Sequence, residues 1–203
     1  MIIKRWEKAL LFGLILTIVL STVSFSATCG EIRQNVLRLH ILANSDSAAD
    51  QQLKLQVRDR LLQEGADLFD GFSTEAQAAE AARQSIARLQ AAAQDEIRAR
   101  GYNYPVSIDV KKLYFDTRTY DQVTLPAGEY EAVQVCIGEA AGQNWWCVLF
   151  PPMCLPAASE QQEIGNVLEP DAADIVTDAP KYEIQFWAVE AYESAKDFIK
   201  GLF

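Results

Sequence analysis

An uncharged run, Ala9 to Ser21 (ALLFGLILTIVLS), follows a head carrying Lys4, Arg5 and Lys8 against Glu7. Small and polar residues then take over at Ser24, Ser26, Ala27 and Thr28. A positive head, an apolar centre and a small-residue tail are the three parts of a secretory signal. A cut after Ser26 would put small residues, Ser24 and Ser26, at both recognition positions. The run is shorter than the roughly 20 apolar residues of a spanning helix unless Thr22–Phe25 is counted in, so residues 1–28 read as a signal peptide or a membrane anchor.

Beyond it the spacing changes. Ile32–Ala43 (IRQNVLRLHILA) reads as a strand, ended by the turn and cap formers Asn44–Ser45–Asp46–Ser47. A helix then runs to Gln63–Glu64 and stops at Gly65. Ala49, Leu53, Val57 and Leu61 line one face, while Leu55 and Leu62 lie nearly opposite, so this helix needs cover on two sides. Ser73 or Thr74 caps a long helix to about Arg100, with Ala79, Ala82, Ile86, Leu89, Ala93 and Ile97 three and four apart.

The middle of the chain alternates with period two. Val106, Ile108 and Val110 predict one strand, and Leu113–Tyr120, Tyr130–Ile137 and Asn144–Phe150 predict others. A hairpin of the last two pairs Ile137 with Trp146, Val135 with Val148, and Val133 with Phe150. In that register Trp146 faces inward, Trp145 is the better surface residue, and Cys136 lies opposite Cys147 on the other face. A local bridge between Cys147 and Cys154 competes with that pairing, and the sequence leaves both open. Leu155–Pro180 has six acidic and no basic residues and reads as an acidic loop. Lys181–Ala188 alternates Tyr182, Ile184 and Phe186 as a final strand, and Val189–Phe203 reads as a terminal helix.

The order of elements predicts a single α+β domain, an antiparallel-dominated sheet with helices packed on one face. Its parts are residues 29–154 as the core domain, 155–180 as the acidic loop and 181–203 as a closing strand and helix.

Charge narrows the partner. The formal net charge is −10, and the basic head makes the remainder more acidic still. No Lys/Arg cluster offers phosphate contacts, so nucleic acid is not expected, and the membrane is met only through the N-terminal segment. With four cysteines, no CxxC pair and one histidine, disulfides in an exported protein are expected and a metal is not.

Catalytic machinery is thin. His40 is the only histidine, and nucleophile-elbow, zinc-protease, phosphate-loop and dinucleotide motifs are all missing. A cell-envelope hydrolase using Cys147 or a serine with His40 is the rival reading; a binding protein without catalytic residues or cofactor is preferred. Polar density peaks at His40, Asn44, Asp46, Asp50, Gln51, Lys54 and Arg58, where Asp50–Lys54 and Lys54–Arg58 are i,i+4 neighbours. These residues read either as a solvated face or as a recognition patch, with Trp145 and Trp146 as further contact residues.

Two stretches are familiar. Leu37–Asp59 (LRLHILANSDSAADQQLKLQVRD) and Leu125–Cys154 (LPAGEYEAVQVCIGEAAGQNWWCVLFPPMC) resemble two signatures of the stage II sporulation protein R family, and Tyr114–Tyr120, centred on Thr117–Arg118, fits the short motif between them. The resemblance implies a protein made in the forespore and exported into the space between forespore and mother cell. It implies a partner too, a membrane-embedded aspartic protease that cleaves the inactive precursor of sigma-E in the mother cell. The catalytic aspartates would then sit in the partner.

Overall fold

A computed structural model describes residues 5–65, 72–120, 123–151 and 167–200. Cys154 and the start of the expected acidic loop lie outside these residues. The α+β expectation holds, and contacts gather the chain into two compact units.

The larger unit, residues 34–115 and 129–169, is built on a four-stranded sheet in the order β2-β5-β1-β6. These strands are β1 (Leu37–Leu42), β2 (Val106–Phe115), β5 (Gly128–Ile137) and β6 (Asn144–Phe150). The expected hairpin does not form. β1 inserts between β5 and β6, pairing parallel with the first (Ile41 opposite Val135) and antiparallel with the second (Ile41 opposite Trp145). The sheet is therefore mixed. The alternation within each strand was readable, but an apolar face fits any neighbour of the same period and does not choose one.

That insertion reverses the tryptophans and separates the cysteines. Trp145, Cys147 and Leu149 share the helix-covered face with Leu37, Leu39 and Ile41, whereas Trp146 lies on the opposite face, level with His40. Cys147 is disulfide-bonded while Cys136 and Cys29 are free thiols, so the Cys136–Cys147 pairing is excluded.

Three helices cover that face: α2 (Ala48–Gly65), α3 (Glu75–Gln84) and α4 (Ile86–Ala99). Leu53, Val57 and Leu61 of α2, the alanines of α3, and Leu89, Ala93 and Ile97 of α4 close one core over the apolar sides of β1, β2, β5 and β6. Ala49, expected in the stripe, is exposed, and Leu62 leans on the core from the side. The long second helix is broken at Ser85, whose N–H reaches back to Ala81 and Ala82. Thr74 caps α3 by accepting from the Gln77 N–H. Gly101 ends α4 at φ 83°, letting the Tyr102 N–H reach the Ile97 carbonyl in a Schellman closure.

The smaller unit comprises residues 1–33, 116–128 and 170–203. Its described elements are α1 (Arg5–Gln34), the paired strands β3 (Arg118–Tyr120) and β4 (Val123–Leu125), α5 (Pro170–Thr177), a 3-10 turn (Ala179–Tyr182) and α6 (Glu183–Lys200). Two expectations are corrected here. Part of the acidic stretch is helical, and the closing strand at Lys181–Ala188 is 3-10 turn and helix. Tyr182, Ile184 and Phe186 alternate by coincidence; the spacing that meets the unit's core is Phe186 and Val189, three apart. α1 is long and apolar enough to cross a membrane. Its last turns also belong to the folded unit, since Phe25, Cys29 and Ile32 are buried and Phe25 packs on Tyr182 and Phe186.

Candidate functional site

The polar residues singled out around the start of α2 come together, but as a brace and not as a solvated face. Ser47 caps α2, accepting from the Asp50 N–H at 3.1 Å. Asp50 then sits one turn in, 5% exposed, where its Oδ2 accepts from Asn44 Nδ2 (2.8 Å) and Ser45 Oγ (2.5 Å), with the Tyr104 hydroxyl as a further donor. Lys54, one turn on and 4% exposed, donates to Gln51 Oε1 (2.6 Å) and to the Gln143 carbonyl (2.9 Å). Although i,i+4 neighbours, Asp50 and Lys54 do not pair with each other; each takes separate partners. Asp50 and Lys54 are therefore corrected from contact residues to buried supports.

What they support is the loop joining β5 to β6, residues 138–143. Asn44 Oδ1 accepts from the Glu139 N–H (3.0 Å), and the Asn44 and Ala43 carbonyls accept from Ala141 (3.3 Å) and Gly142 (3.0 Å). Asp46 Oδ1 accepts from the Gln143 N–H (2.7 Å). The β1–α2 turn thus divides its polar atoms between Asp50 at the start of α2 and the backbone of this loop. A Cβ on Gly138 (φ 58°) would fall 2.2 Å from Asn44 Oδ1, and one on Gly142 would fall 2.2 Å from the Ser45 carbonyl oxygen. The two glycines let the loops approach this closely. Left outward are Asp46, Ser47, Glu139, Ala141, Gln143 and Asn144.

Arg58 lies beside this brace and outside it. Its guanidinium stacks 4.5 Å over the Trp145 ring and pairs with exposed Asp59 at 2.6 Å. Trp145 is half-buried against the core, so it serves packing more than the surface role expected of it.

His40 occupies the other sheet face. Its Nε2 donates to Asn144 Oδ1 (2.9 Å), its Nδ1 accepts from Gln134 Nε2 (3.2 Å), and its ring stacks on Trp146 at 5.9 Å with planes 7° apart. These partners assign the neutral tautomer with its proton on Nε2. Two residues along β1, buried Arg38 stacks on Phe115 (4.0 Å) and Tyr130 (4.8 Å). Burial, reinforced by Lys111 and Arg38, pushes the His40 pKa below its ordinary 6.5 against the pull of the Asn144 bond. Both ring nitrogens are engaged by amides, and Cys147 lies on the opposite face in a disulfide, so the Cys147–His40 pairing of the rival reading is not assembled. Among the described residues no group of His, Cys, Asp and Glu is arranged to hold a metal ion.

Stability should respond to acid in two steps. His40 takes up a proton less readily folded than unfolded, so its contribution is complete above pH 6.5 and is lost as pH falls below that value. The Ser45 and Asn44 hydrogen bonds hold the Asp50 carboxyl below 3.8, so its contribution persists to about that pH and is lost as the medium becomes more acid. Urea unfolding from pH 8 to 3 should show the first decline disappear in His40→Gln and the second in Asp50→Asn.

The sequence named His40, Asn44, Asp46, Asp50, Lys54 and Arg58, and all but Arg58 take part in these two hydrogen-bonded clusters. It passed over their partners Ser45, Tyr104, Gln134, Gly138, Gly142, Gln143 and Asn144. The glycine pair in Gly138–Gly142 was the available signal, because two glycines four apart on a strand-to-strand loop mark close backbone approach.

The family model for stage II sporulation protein R matches residues 33–160, which hold both braced loops and the whole four-stranded sheet. Stage II sporulation protein R of Bacillus subtilis (strain 168) is 36% identical over 142 residues, 70% of this chain and 63% of that relative. The matched stretch thus spans less than two thirds of the relative's length. No solved structure matches. With the family's model covering more than half of the chain, and its two signatures forming the two sides of one brace, the chain belongs to the stage II sporulation protein R family.

Proposed function

We propose that this sporulation protein is an intercellular signal. It is exported from the forespore and binds a membrane-embedded aspartic protease, which then cleaves the sigma-E precursor in the mother cell. It performs no bond-breaking itself. The family supports the sporulation role; the partner and the direction of signalling are our reading.

One observation carries the binding role: a surface loop, residues 138–143, is hydrogen-bonded to buried Lys54 and to the turn at Asn44–Asp46 that buried Asp50 holds, and it approaches that turn too closely at Gly138 and Gly142 to admit a Cβ. Hydrogen-bonded carboxylate and ammonium groups are costly to bury, and here they fix an exposed loop in place. A loop fixed before docking loses little conformational freedom on binding. The outward residues Asp46, Glu139, Gln143 and Asn144 give it a polar, mildly acidic face. Such a face shifts the partner towards its active state only by binding that state better than the other. α1 serves export, and since Phe25, Cys29 and Ile32 pack into the folded unit we read it as a retained anchor.

Lys54 and Arg58 are poor test positions, because one is buried and the other stacks on Trp145. Glu139→Arg combined with Ala141→Arg changes only exposed positions. In sporulating cells lacking the native copy, this variant should cut precursor processing about tenfold or more, equivalent to about 1.4 kcal/mol of binding, with its unfolding temperature unchanged. Normal processing by a fully folded variant would remove the loop from the mechanism.

A further inference from the structure

Outside the family-matched stretch, α6 is apolar on two opposite faces. Phe186, Val189 and Glu193 point into the smaller unit and are buried. On the other side Ile184, Ala188, Ala191, Ala195 and Phe198 recur at intervals of four and three, flanked by Trp187, Tyr192 and Ile199. Its large side chains, Ile184, Trp187, Tyr192, Phe198 and Ile199, are between 55% and 79% exposed. Four-and-three spacing is the seam of a two-helix pair, with the alanines allowing close approach and the larger residues closing its edges.

We propose that this face pairs with the same face of a second copy of the chain, α6 against α6, running parallel about a two-fold axis. The area suits the occupant. Aromatic side chains each carry about 150–250 Å², so the five large residues expose on the order of 600 Å². A specific interface takes about 800 Å² per partner, and the alanines and helix edges make up the difference.

Direction selects a second copy over a lipid surface. Phe186 packs on Phe25 (5.5 Å between ring centres) and Glu193 pairs with Arg33 (3.5 Å), so α6 runs beside the end of α1 and in the same direction. Its first turns, at Ile184 and Ala188, share a groove with Thr17, Ser21 and Phe25 of α1, and a helix aligned with a membrane anchor points along the bilayer normal and does not lie flat on the surface. Two anchored copies share one orientation, and a two-fold axis along the membrane normal then makes their α6 helices parallel. Both the choice of a second copy over lipid and the parallel orientation rest on the reading of α1 as a retained anchor.

The test uses the full chain in phosphatidylcholine vesicles, with Cys136→Ser removing a half-buried free thiol. Ile184→Cys and Phe198→Cys are made separately and exposed to a short bis-maleimide; the intact mass of each preparation reports whether α1 is still attached. The two positions lie about 21 Å apart along the helix, so self-cross-linking at both requires a parallel pair. Covalent dimer is expected at each position and should fall at least tenfold when Ala191→Glu is added. The absence of dimer at both positions overturns the proposal. Dimer at one position alone overturns the parallel arrangement. A fluorophore on Ala191→Cys that brominated acyl chains quench would place the face in lipid and overturn it as well.

Discussion

Asp50→Ala should lower the unfolding temperature by about 10 °C. The carboxylate collects donors from Asn44, Ser45 and Tyr104 in a place water barely reaches. Truncation strands all three at once, and each buried donor without an acceptor costs about 1–3 kcal/mol. Partial rearrangement reduces the sum, leaving about 3–4 kcal/mol, and each kcal/mol is worth about 2–4 °C in a chain of this size. Asp50→Asn keeps one acceptor oxygen and should lose roughly half as much. Thermal unfolding by circular dichroism ranks the two. Equal midpoints for wild type and Asp50→Ala would mean that the network adds nothing to the fold.

Gly142→Ala should have a comparable effect through geometry. The new methyl would lie 2.2 Å from the Ser45 carbonyl oxygen, 2.5 Å from its carbon and 3.0 Å from the Ala43 side chain. Backbone atoms cannot rotate aside as a side-chain tip does, so the loop must lift. Lifting breaks the Gly142–Ala43 and Ala141–Asn44 hydrogen bonds and stretches Lys54 from the Gln143 carbonyl. A cost of about 2–4 kcal/mol follows, together with loss of signalling at temperatures where the variant remains folded. Amide exchange at residues 141–143 should accelerate by at least a hundredfold while the sheet amides stay protected. The control is Gly13→Ala, whose Cβ meets nothing within 4 Å in exposed helix and which should be neutral or slightly stabilising. If both alanine variants behaved alike, close approach of the two loops would not matter.

Much of the fold was legible because its signals are local. Ser47 and Thr74 cap helices, Gly101 ends one, and the alternation of Val106, Ile108 and Val110 makes a strand wherever the chain takes it. Misreadings began where two local patterns were equally satisfied. Tyr130–Ile137 and Asn144–Phe150 have the period of hairpin partners, and nothing within them records that β1 fits between. Ser85 breaks a helix whose apolar stripe continues across the break. Lys181–Ala188 satisfies period two over three residues and a helix over the longer span, and the longer span prevails.

The candidate site divides in the same way. Charge balance, the apolar head, the scarcity of catalytic residues and the set of polar residues near α2 are properties of the chain as written, and no fold could change them. Whether Asp50 and Lys54 meet water or a loop about 90 residues further on was settled only by tertiary structure. An amphipathic helix specifies which residues share a face but not what will arrive to cover it, and a buried charge is tolerable only once its distant partners are in place.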